Sequence, residues 1–107
     1  MPYRFDDEFP LTDDIWDYSN PKEVANRAKK FYNSKIYRST RPTKKYMIFN
    51  PVSEKFVHFG AMGYEDYTKH KDEDRRHNYL VRSGNIRGKW KTDPFSPNFL
   101  SRCLLWT

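Results

Sequence analysis

Two β-forming runs, Lys45–Asn50 and Lys55–Gly60, face each other across the short loop Asn50-Pro51-Val52-Ser53-Glu54. Alternation on both sides and a proline at a turn position predict an antiparallel hairpin. No other stretch constrains the fold as tightly. Alternate positions separate Tyr46, Ile48, Phe56 and His58 from Met47, Phe49, Val57 and Phe59. Both sets are apolar, so the hairpin is expected to be covered on both faces, by a helix on one and by an N-terminal arm or a partner on the other.

Helical signals flank the hairpin. Asn20 is a good N-cap, Pro21 suits the first helical position, and Glu23 falls at the capping-box position. Val24, Ala28 and Phe31 then recur at helical spacing. Lys35–Thr40 is rich in β-formers and predicts a short strand, which Arg41-Pro42-Thr43 ends. Tyr64–Lys69 reads as one helical turn. Asp72 caps a helix through Arg82, with Gly84 as its stop and His77, Leu80 and Val81 as its inward positions. Ser96-Pro97 starts a last helix on which Phe99, Leu100, Cys103 and Leu104 share a face. The fold class is therefore α+β: a small antiparallel hairpin or three-stranded sheet with two to three short helices.

A chain of 107 residues is one domain with a narrow stability margin. Hydrophobic residues make up 36% and aromatic ones 18%, so large rings must supply much of the core or dock on a partner. Residues 1–19 read as an extended arm and residues 20–107 as the folded domain. The arm carries Phe5, Phe9, Trp16 and Tyr18 among the acids Asp6, Asp7, Asp13 and Asp14. Disordered tails are poor in rings, so this one is expected to order against its own body or another subunit. Residues 1–18 hold one basic side chain against six acidic ones, a net of −5, while the rest of the chain stands at +11. A body this basic attracts polyanions.

The single Cys103 forms no internal disulfide and fits a reducing compartment. No apolar run nears the ~20 residues of a membrane span, and the acidic start is unlike a secretory signal. A zinc site from His58, His70, His77 and Cys103 is disfavoured, because no CxxC or HxxxH pair supports it. A metal nuclease is disfavoured too: Asp72, Glu73 and Asp74 are consecutive and diverge from a helix start. No catalytic residue, metal, cofactor or small-molecule substrate is expected. Arg75, Arg76, Arg82, Arg87, Lys89 and Lys91 interleave with rings that include Trp90, a composition suited to phosphate neutralisation and base stacking. The competing reading is a charged face balanced by neighbouring acids.

The run Gly63-Tyr64-Glu65-Asp66, Thr68-Lys69-His70-Lys71-Asp72, Arg75-Arg76, Asn78-Tyr79-Leu80, Arg82 and the closing Leu104-Leu105-Trp106 resembles a family of small proteins from nucleocytoplasmic large DNA viruses. The resemblance spans roughly residues 44–106, with Phe59-Gly60 ending its hairpin. It implies a viral origin and no catalytic residues. The expected role is a non-enzymatic minor capsid or cement protein, made in the host cytoplasm and residing in the virion. The arm residues Phe5, Phe9, Trp16, Tyr18, Asp6, Asp7, Asp13 and Asp14 would dock on other virion proteins. The alternative is a basic viral nucleic-acid-binding protein using the Arg75–Lys91 region.

Overall fold

The computed structural model describes residues 9–107. Three antiparallel strands, β1 (Tyr37–Arg38), β2 (Lys44–Asn50) and β3 (Lys55–Ala61), lie in the order β1-β2-β3. Four helices follow in chain order as α1 (Pro21–Tyr32), α2 (Tyr67–His70), α3 (Glu73–Gly84) and α4 (Pro97–Leu104). Single 3₁₀ turns occupy Asp14–Asp17 and Trp90–Thr92. This is the expected α+β class.

The hairpin register pairs Tyr46 with Phe59 and Ile48 with Val57. Phe59 and Val57 therefore share a face with Tyr46 and Ile48, and not with Met47 and Phe49 as simple counting suggested. The four residues between the strands shift the alternation by one. Tyr46, Ile48 and Phe59 are fully buried with Val24 and Ala28 of α1, Leu100 and Leu104 of α4, and Leu105. Cover on the second face is incomplete, contrary to expectation. The chain's closing segment reaches the Lys45–Gly60 end, where a Cβ on Gly60 would meet Leu105 Cδ1 at 3.0 Å. Gly60 also holds φ +81°, so this close approach requires glycine twice over. Towards the turn, Phe49 and Phe56 stay 39% and 44% exposed, edge to face with each other.

α1 starts as its sequence specifies, with the Asn20 side chain accepting from Lys22 N at 3.1 Å and Pro21 at the first position. Glu23 does not close a capping box. Its carboxylate takes the Lys71 ammonium at 2.5 and 2.6 Å. Phe31 faces solvent, and Tyr32 continues the inward line instead, edge-on to Phe95.

The expected arm differs most. Phe5, Asp6 and Asp7 lie outside the described residues. From Phe9 onward the segment belongs to the body. Phe9 packs its ring 5.6 Å from Tyr46 and is buried, as is Ile15. Trp16 donates to the carbonyls of Phe9 and Pro10. Asp13 pairs with Arg38 through both carboxylate oxygens, at 3.2 and 3.1 Å. Phe9 thus has no free ring for a neighbour, because Tyr46 already covers it. Trp16 and Tyr18 are half-buried, and Asp14 alone of the described arm candidates stays exposed.

Candidate functional site

Lys45 sits on the pleat opposite Tyr46, yet is only 2% exposed. Its ammonium meets Tyr64 O at 2.6 Å, Asp66 Oδ2 at 3.1 Å and, more distantly, Tyr18 O at 3.5 Å. Three acceptors match its three N–H donors. Burial lowers the Lys45 pKa, opposed by the charge and hydrogen bond of Asp66 and by Glu65. Asp66 Oδ1 caps α2, accepting from Thr68 N at 3.0 Å and from the Thr68 hydroxyl. That hydroxyl has then given its only hydrogen, so Ser19 donates to Thr68 at 3.1 Å, and Tyr46 donates to Ser19 at 2.6 Å. The chain Tyr46–Ser19–Thr68–Asp66–Lys45 is internally satisfied. A lysine so fully engaged is a structural anchor and not a free nucleophile. It locks the N-terminal segment, the sheet and α2 together beneath a surface cleft.

The cleft, of about 570 Å³, opens between the Lys44–Ala61 end of the sheet, α3 and α4. α3 presents Arg75, Asn78, Tyr79 and Arg82 to it, the i, i+3, i+4, i+7 spacing of one helix face. The helix contributes no residue to the apolar core. Polar and aromatic contacts fix it instead. Tyr79 stacks on Trp106 at 4.1 Å with planes 9° apart. Arg76 Nε donates to Trp106 O at 3.0 Å. Arg102 donates to Leu80 O and Ser83 Oγ, both at 2.6 Å, and Asn98 donates to Ser83 O at 3.1 Å. This placement differs from the inward set His77, Leu80 and Val81: His77 and Val81 face solvent, Leu80 is half-buried, and only Ser83 is buried. Trp106 and Arg102 turn the aromatic and polar side of α3 inward.

Cleft electrostatics are positive. Arg75 pairs with Glu65 at 3.2 Å, an exposed pair of small energetic weight. Among the described residues no carboxylate pairs with Lys44 or Arg82. Arg82 instead lies over the Tyr79 ring at 5.8 Å. Burial raises the Tyr79 pKa, against a hydrogen bond with Ser101 and the charges of Arg102 and Arg82, so the phenol remains a donor.

The other expected nucleic-acid residues scatter. Arg76 turns to Trp106, Glu73 and the Tyr67 ring. Arg87 and Lys89 are exposed on the loop after α3. Trp90 is half-buried, donates to Ile86 O at 2.7 Å, and carries the cations of Arg102 and Lys91 near its ring. Only Arg75 and Arg82 line the cleft. Lys44, Tyr64, Asn78, Asn98 and Trp106, which join them there, were not singled out as site residues. The signal for Asn78 was present in the spacing of 75, 78, 79 and 82. For Lys44 and Trp106 no local signal exists. The histidines remain apart, with His58 hydrogen-bonded to Ser39 and His77 exposed. Among the described residues no three His, Cys, Asp or Glu side chains are placed to hold a metal. Within the same residues no helix is long and apolar enough to cross a membrane.

A model of a family of unknown function, DUF5754, matches residues 34–83. The match takes in all three strands, α2 and all but the last residue of α3. No curated protein and no solved structure matches the chain.

Proposed function

We propose that this protein is a non-enzymatic nucleic-acid-binding component of a large DNA virus, holding the phosphate backbone at the α3 cleft. The observation that carries this reading is the stripe Arg75, Asn78, Tyr79 and Arg82, facing Lys44 across the cleft, with Arg82 and Lys44 free of carboxylates among the described residues. The viral setting rests on the sequence resemblance. Such a surface neutralises phosphates and releases counterions. Fluorescence anisotropy with a labelled oligonucleotide, repeated from 50 to 200 mM salt, tests it. Three engaged cations give a log–log slope of about −2 to −3. Arg82→Ala lowers that slope by about one. A flat salt dependence, or an Arg82→Ala protein that binds as the parent does, overturns the reading.

A second reading keeps the protein as a minor capsid or cement component. The open ring cluster on the sheet supports it: Tyr37, Phe49 and Phe56 pack edge to face and stay partly exposed. Lys55 precedes Phe56, and the charges of Arg41 and Lys44 reach His58 on the same face. A partner virion protein with an acidic, apolar surface fits that basic rim. Phe49→Ser with Phe56→Ser should remove the protein from purified particles. Its absence from parental particles ends this second reading.

A further inference from the structure

We infer that the cleft takes an unpaired base of a nucleic-acid strand, and so prefers single strands to duplex. The inference rests on the nucleic-acid reading and specifies its ligand. A helix that reads duplex DNA protrudes into a groove ~12 Å wide. Here the polar stripe of α3 does the opposite and looks across a concavity at the end of the sheet and at Asn98 of α4. A duplex therefore meets only the rim cations. The volume of about 570 Å³ lies within the ~300–1,000 Å³ of small-molecule sites and suits a base with its sugar.

The lining also suits a base. Tyr64 is 73% exposed at the cleft and offers an uncovered ring for stacking. The Asn78 carboxamide makes no hydrogen bond to another described residue, which leaves a donor and an acceptor for a base edge. The Asn98 amide nitrogen is tied to Ser83 O, which orients its oxygen as a second acceptor. Arg82 and Lys44 then take the flanking phosphates. Stacking platforms combined with amides and a basic track are how proteins hold unpaired strands.

The test uses the full chain and four probes at one salt concentration: ten-residue oligothymidylate, an abasic strand with the same number of phosphates, a ten-base-pair duplex, and thymidine monophosphate. Oligothymidylate should bind about fivefold or more tighter than the abasic strand, since one stacked base is worth at least about that factor. Tyr64→Ser should erase the advantage of oligothymidylate over the abasic strand. Tyr64 is exposed, so the substitution does not threaten folding, and an unchanged denaturation midpoint verifies it. Equal binding of the abasic strand and oligothymidylate, or duplex binding as tight as either, overturns the inference and leaves the phosphate reading standing. Monophosphate binding tighter than the strand reassigns the cleft to a free nucleotide and also overturns it. Failure to bind any of the four removes both.

Discussion

The sheet with its covering segments and the α3 wall are held by different forces. The body buries Phe9, Ile15, Val24, Ile48, Phe59, Leu100 and Leu104 in one apolar cluster, where each large side chain contributes about 1.5–3 kcal/mol. α3 adds nothing to that cluster. It depends on a ring stack and a few hydrogen bonds, each worth about 0.5–1.5 kcal/mol net. The wall should therefore open at lower free energy than the body unfolds, as binding surfaces often do. The difference teaches that this chain makes its fold with apolar burial and leaves its cleft to contacts that can yield.

The largest effect should come from the polar exception inside the body. Lys45→Met strands the Asp66 carboxylate in a site 1% exposed, and should cost about 3–5 kcal/mol in chemical denaturation. Replacing Asp66 by Asn in the same background keeps a helix-capping oxygen and removes the charge, so part of the loss should return. A single substitution that costs under 1 kcal/mol would show the pair to be no anchor at all. Next, Leu104→Ala should cost about 2–5 kcal/mol and lower amide-exchange protection of β2, β3 and α3 together, since the wall stands on the body.

Tyr79→Leu separates the regions, because Tyr79 lies on α3 and outside the apolar cluster whereas Trp106 packs against it. Losing the stack on Trp106 should remove about 0.5–1.5 kcal/mol, and the loss should appear in α3. Its amides should exchange faster while those of β2 and β3 keep their protection. Equal loss in strands and helix would break the comparison, because it would make α3 part of the cooperative core.

The body was the legible half. Alternation around Pro51, the Asn20-Pro21 start of α1 and the Ser96-Pro97 start of α4 are local signals, and each element formed where they stand. The N-terminal segment was not legible, because its path is decided by distant partners. Tyr46 meets Phe9 and Ser19, Arg38 meets Asp13, and Asp66 N reaches back to Tyr18 O at 3.0 Å. Acidic and aromatic residues without periodicity carry no mark of that. The orientation of α3 failed for a related reason. Leu80 and Val81 suggested an apolar inner face, but Trp106, Arg102 and Asn98, brought up by α4, offered the Tyr79 ring, the Ser83 hydroxyl and the Ser83 carbonyl better partners. Five of the seven expected nucleic-acid residues were therefore dispersed, and the cleft was assembled from residues that only the tertiary fold makes neighbours.

The smallest effect is a pH dependence confined to the wall. His70 ends α2, two positions before the Asp72 cap of α3, and lies 5.2 Å from the Trp106 ring and 6.1 Å from that of Tyr67. Its Nδ1 accepts from Asp72 N at 2.9 Å, and its buried Nε2 has no hydrogen-bond partner among the described residues. Burial lowers the His70 pKa, Arg75 adds to the effect, and Glu65, Asp66 and Asp72 oppose it. Protonation would also set an Nδ1–H against the Asp72 N–H that it now receives. With the folded value below the unfolded ~6.5, the unfolded chain binds more protons as pH falls. The stabilisation is complete above that unfolded value and is lost as pH drops towards the folded one. His58 is lowered too, by burial and by Arg41 and Lys44, but it sits on the sheet. Between pH 7.5 and 5, α3 amides should lose protection and His70→Gln should remove most of that slope, while His58→Gln should leave it in place. A slope in α3 that survives His70→Gln would mean that the wall does not sense this ring, and that its weakness has another source.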